Sequence, residues 1–146
     1  MGMTAYIDGA CHGSNPGRAS SAYVVYDSHL REIATKAVAH ARPETNNFAE
    51  YMALLILLRK AKKMGWKDMT IYSDSRLVVM QCTESWSVSS KFADFAALAS
   101  DLLWKGRHKL IHMKGHGRDP RKGLHRGNDR ADALCDLILD DVLRKK

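Results

Sequence analysis

A carboxylate in the middle of an apolar helical face constrains this chain more than any other feature. Residues 45–64, TNNFAEYMALLILLRKAKKM, carry the period of an α-helix. At about 100° per residue, Asn47, Glu50, Tyr51, Leu54, Leu57, Leu58, Ala61 and Met64 share one arc, and Arg59, Lys60, Lys62 and Lys63 the opposite one. Glu50 therefore stands among residues that face a core. One account is local: Asn47 as N-cap and Glu50 three positions on make a capping box, with the carboxylate turned back to a backbone N–H. The other is that further groups converge on Glu50, because a carboxylate aimed into a core is costly unless cations or donors meet it. The basic arc reads as a solvated face with no assigned role.

The rest of the chain limits what those groups can be. With 146 residues there is room for one domain, residues 1–146, with a substantial core. No apolar run approaches the ~20 residues of a membrane span, and MGMTAYIDGA lacks the segments of a secretory signal, so a cytoplasmic protein without a membrane partner is expected. Cys11, Cys82 and Cys135 have no Cys-x-x-Cys spacing, which argues against a disulfide framework and a zinc site. A formal charge of +7 favours a polyanionic partner.

In order, Thr4–Ile7 reads as a strand ending on Asp8, followed by the turn-rich GACHGSNPGRAS. Ser21–Tyr26 and Glu32–His40 read as two more strands around the short Asp27-Ser28-His29 connection, which gives a three-strand antiparallel meander. The long helix then runs to Gly65, and Met69–Asp74 is a strand that again ends on an acid. Strand, helix, strand is a crossover unit, so this strand is expected parallel to the first. Short and longer helices are predicted over 75–81 and 92–104, a last strand over 109–113, a basic Gly-rich loop after it, and a final helix opening near Asn128.

Four acids now hold comparable places: Asp8 and Asp74 at strand ends, Glu50 in the first turn of the crossover helix and Asp132 in the first turn of the last helix. Strand ends and helix starts meet at one edge of an α/β sheet, where ligands bind. Clustered carboxylates repel unless cations sit among them, and all-oxygen ligation suits Mg²⁺ or Mn²⁺. Two such ions about 4 Å apart can hold a phosphodiester, one serving the attacking water and one the leaving oxygen. Each acid also has a structural account: Asp132 at a helix N-terminus, Asp74 with Ser75 as a helix cap, Asp8-Gly9 as turn chemistry.

The phrases YIDGACHGSNPG, TNNFAEYMALL, IYSDSRLVV, MKGH and GNDRADALC, in this order, resemble ribonuclease H of type 1 over nearly the whole chain. The resemblance implies an α/β ribonuclease H-like fold, with a five-stranded mixed sheet of the meander plus two parallel strands, flanked by helices. It implies cleavage of the RNA strand of an RNA/DNA hybrid with two divalent metals, by a chain with no obligatory protein partner and expected to be a monomer. Matched phrase by phrase, the metal-binding carboxylates fall on Asp8, Glu50, Asp74 and Asp132, and the catalytic-loop histidine on His116. Substrate-binding positions fall on Asn15, Thr45, Asn46, Asn47 and Arg76.

The chain departs from that pattern in three places. The segment from His116 to Asp132 is long, which makes His125 a rival to His116. Arg76 stands where many members have Gln, which exchanges a groove contact for a phosphate contact. Only CTESWSVSSK separates the two middle helices, so the basic protrusion that many members use to grip DNA is missing. Trp86 and Lys91 in that stretch offer stacking and charge to nucleic acid. Two other classes share the architecture: a silent nucleic-acid-binding module, whose mark would be a lost carboxylate, and a recombinase-type nuclease core, which needs additional DNA-binding segments.

Overall fold

The computed structural model describes residues 2–83, 87–113 and 122–144, with side chains described over 127–139 in the last segment. Five strands, β1 (Thr4–His12), β2 (Arg18–Tyr26), β3 (Glu32–Ala39), β4 (Thr70–Ser73) and β5 (Lys109–His112), form one sheet in the order β3-β2-β1-β4-β5. The helices are α1 (Asn46–Met64), α2 (Arg76–Thr83), α3 (Ala93–Gly106) and α4 (Lys122–Arg144). β1, β2 and β3 pair antiparallel as a meander, while β4 runs parallel to β1 and β5 parallel to β4. The mixed five-stranded sheet expected from the sequence is the one found.

Alternation along β1 separates two cores, since successive side chains point to opposite faces. Ala5 and Ile7 join the main core with Tyr51, Leu54, Leu57, Leu58, Ile71 and Val78 beneath α1, α2 and α3. Tyr6 points the other way, to a smaller cluster with Val24, Met113 and Ala131 under α4, where it stacks on Tyr72 at 5.4 Å between ring centroids. Among the described residues no helix is long and apolar enough to cross a membrane.

Two element boundaries differ from the sequence-based expectation in ways that matter for the site. β1 does not end at Asp8; it continues to His12, paired with β2 down to His12↔Arg18. The small residues Gly9, Ala10 and Cys11 sustain that ladder, and the turn is confined to the segment before β2. The last helix opens at Lys122, before Asn128, which puts Asp132 ten residues inside it and not in its first turn. Gly127, a residue that would ordinarily weaken a helix, sits inside this one for steric reasons: a Cβ there would lie 2.1 Å from the Tyr6 ring. α4 lies this close to the sheet because residue 127 has no side chain.

α1 starts on Thr45, whose Oγ1 accepts from the Phe48 N–H at 3.1 Å, and it ends at Gly65 in the left-handed conformation at φ 72°. Asn47 is thus inside the helix and caps nothing, so the capping-box account of Glu50 fails. Glu50 belongs to the second turn, and the Phe48 N–H near the helix start is taken by the Thr45 side chain.

Candidate active site

β4 stops at Ser73, opposite Ile7, while β1 runs on beside β2. Beyond that point β1 has no strand partner on its β4 side among the described residues, and the sheet has a notch. The Gly9 N–H would be an orphan there. It donates instead to Glu50 Oε1 at 3.0 Å, and the Ser73 hydroxyl donates to Glu50 Oε2 at 3.4 Å. Glu50 reaches the notch from α1 because Gly9 lacks a side chain: a Cβ would lie 2.4 Å from the Glu50 nitrogen and 2.5 Å from the Ala49 carbonyl carbon. Behind this contact the Ser21 hydroxyl donates to the Ala49 carbonyl at 2.7 Å and lies 2.7 Å from His40 Nε2, which ties α1 to β2 and to the end of β3.

Asp74 follows β4 directly. It does not cap α2, since the Val78 N–H donates to Ser75 Oγ at 3.3 Å. One carboxylate oxygen each from Asp8, Glu50 and Asp74 lies within 4.8 Å of the others. Asp132 is in contact with Asp8 from α4 and is half-buried. The Cys135 thiol, one turn further on, donates to the Asp8 carbonyl at 3.4 Å and anchors α4 to β1 at this level.

The electrostatics follow from burial and crowding. Asp8 and Glu50 are 5 % and 6 % exposed. Burial, followed by the charges of Glu50 and Asp74, pushes the Asp8 carboxyl far above the usual carboxylate range. Burial and then Asp74 push Glu50 up as well, against the donors Gly9 and Ser73 that favour its ionised form. Left to itself the cluster holds protons that isolated carboxylates would have lost. A cation of high charge density placed among them supplies the missing compensation, and oxygen-only ligation is what Mg²⁺ and Mn²⁺ accept.

The expected substrate-binding residues gather beside the notch at the start of α1. Asn15 Oδ1 accepts from the Asn46 N–H at 3.1 Å, so the turn before β2 is docked on the helix N-terminus next to the cap Thr45. A backbone bridge between Gly17 and Glu44 holds the same turn. Asn46 and Asn15 are exposed, Asn47 is half-buried, and Arg76 is exposed at the start of α2. His116 and Trp86 lie outside the described residues. His125 falls within the first turn of α4.

Gly9 and Ser73 were missed by reading the sequence, although each holds Glu50. Gly9 carried a signal: a glycine directly after an acid in a strand that continues marks a close backbone approach. Ser73 carried none, because its role depends on where β4 ends.

Comparison with known proteins agrees with this arrangement. The RNase H family model matches residues 1–138. A ribonuclease HI of Halobacterium salinarum is 33% identical over 140 residues, which covers 94% of this chain and 64% of that protein, so the chain spans less than two thirds of that relative. A crystal structure of RNase H1 from the same archaeon is 32% identical with a TM-score of 0.79, covering 97% of this chain and 99% of the other. A crystal structure of LC11-RNase H1 in complex with an RNA/DNA hybrid shares the fold, with a TM-score of 0.79, at 24% identity over 97% of this chain and 99% of that one. With a family model spanning both cores and the notch between them, the chain belongs to the ribonuclease H family.

Proposed function

We propose that this chain acts as a single domain that hydrolyses the RNA strand of RNA/DNA hybrids, with two Mg²⁺ ions held by Asp8, Glu50, Asp74 and Asp132. The observation that carries the reading is the notch, where three carboxylates meet within 4.8 Å and two of them are buried without a cationic side chain among the causes of their shifts. Family membership supports divalent-metal dependence, and Mg²⁺ is the specific choice made here on oxygen-only ligation. When bound, the ions would neutralise the carboxylates, activate a water and stabilise the leaving oxygen of the phosphodiester.

The chain's own residues do the rest. Gly9 and Ser73 hold Glu50 with both oxygens committed to fixed donors, so its geometry is set before substrate arrives. Asn15, Thr45, Asn46 and Asn47 surround the N-terminus of α1, where polar groups and the positive end of the helix dipole suit a nucleic-acid strand. Arg76, at the start of α2, supplies a charge for a phosphate. His116 is assigned to the catalytic loop by its place in MKGH, with His125 as the alternative. The catalytically silent reading loses its expected mark, because all four carboxylates are present and Asp8, Glu50 and Asp74 converge.

The test labels each strand in turn of RNA/DNA hybrid, duplex RNA and duplex DNA, with and without Mg²⁺. Cleavage confined to the RNA strand of the hybrid and dependent on the metal is expected. Cleavage of duplex DNA, or unchanged cleavage in chelator, would overturn the reading.

A further inference from the structure

The C-terminal half of α1 forms one side of a groove of about 610 Å³ whose other side is the edge strand β3. Lys36 from β3 and Arg59, Lys60 and Lys63 from α1 line it, and no acidic residue does. Among the described residues none of these four cations is paired with a carboxylate. Between them lies apolar surface, including Ile56 and the half-buried Trp66, both packed on the main core. The groove is remote from the notch: Arg59 and Lys63 follow Glu50 along one helix by about 14 and 20 Å at 1.5 Å per residue.

Four like charges facing one groove repel one another, and no acid among its described lining residues relieves them, so an anion that enters gains on all four at once. The cations stand on both sides rather than on one flat face. A single strand lying along the groove would set its phosphates toward the cations on both walls and a base against the apolar surface at Trp66. That combination of a basic channel and an aromatic platform is how single strands are held without regard to sequence. We propose that this groove binds single-stranded nucleic acid, in particular a strand that continues past the hybrid held at the carboxylates. The identity of that strand rests on the hybrid reading above; the binding itself does not.

The experiment measures anisotropy of a labelled ~15-nucleotide oligo(dT) with the full chain over a range of salt, without divalent metal. Wild type is compared with the Lys36→Glu/Lys60→Glu variant, whose folding is checked by circular dichroism, and with Lys36→Gln/Lys60→Gln as the milder change. Affinity should fall at least about tenfold in the Glu variant, and less in the Gln variant. The slope of log K against log salt should shrink by about 0.7 for each phosphate contact removed. Cleavage of a short blunt hybrid should keep its kcat in both variants, since Lys36 is separated from β1 by β2 and Lys60 stands ten residues along α1 from Glu50. Equal affinity and equal slope in wild type and variant would overturn the proposal. So would charge-dependent binding of a glutamate-rich peptide with oligo(dT) unaffected, which would make the groove a protein-docking site. Failure of wild type to cut the short hybrid would count against the nuclease reading alone.

Discussion

Glu50 shows how one residue can satisfy a local rule in sequence and a distant requirement in structure. Its oxygens are bound by Gly9 on β1 and Ser73 on β4. Replacing Asp74 by Asn should leave the fold intact and raise the melting temperature slightly or not at all, because it removes one of several crowded charges. Cleavage should fall below about 1% of wild type. A variant keeping more than about a tenth of the rate, a loss under ~1.4 kcal/mol in barrier terms, would remove Asp74 from the metal site. Gly9→Ala should behave differently. Its Cβ would press on the backbone at Ala49 and Glu50, so overpacking should cost about 1–3 kcal/mol in urea unfolding and activity should fall with it. Stability equal to wild type would show that α1 can retreat at no cost.

At the scale of elements, helix starts and strand ends decide the site. Thr45→Ala removes the Oγ1 that accepts from Phe48 and should cost about 1 kcal/mol, whereas Asn47→Ala, inside the first turn and past the cap, should cost much less. Urea midpoints of the two variants check this, and the reverse order would restore the capping box at Asn47. The amphipathic period of α1, its stop at Gly65 and the order of elements were legible in the sequence because they depend on neighbours a few residues apart. The true length of β1 and the start of α4 were not. β1 extends because β2 pairs with it, and α4 accepts Gly127 because Tyr6 lies beneath it.

For the whole molecule, buried carboxylates couple folding to pH and metal. Asp8 and Glu50 hold protons in the folded chain at pH values where the unfolded chain has released them. The native state then binds more protons than the unfolded state above the ordinary carboxylate range, so stability falls as pH rises. Metal-free protein should lose several degrees of melting temperature between about pH 5 and pH 8. Added Mg²⁺ should recover that loss by binding the native state alone. Asp74→Asn should show a smaller loss. A melting temperature that is flat with pH in chelator would mean that the carboxylates ionise freely. The +7 charge acts on the same scale, and hybrid binding measured in Ca²⁺ should weaken steeply with salt. A flat salt response would separate the net charge from substrate binding.

By itself the sequence determined the α/β class, the antiparallel meander with a parallel continuation, and the meeting of Asp8, Glu50 and Asp74 at one sheet edge. All of these follow from short-range periodicity and from spacing along the chain. Only the tertiary structure decided how the acids are held. The end of β4 beside the longer β1 opens a notch, the bare Gly9 lets α1 approach it, and Gly127 lets α4 bring Asp132 to Asp8. Likewise the basic arc of α1 became one side of a groove only once Lys36 of β3 was placed opposite it. Such facts depend on which backbone groups lack neighbours and which surfaces face each other, and no local pattern of residues records that.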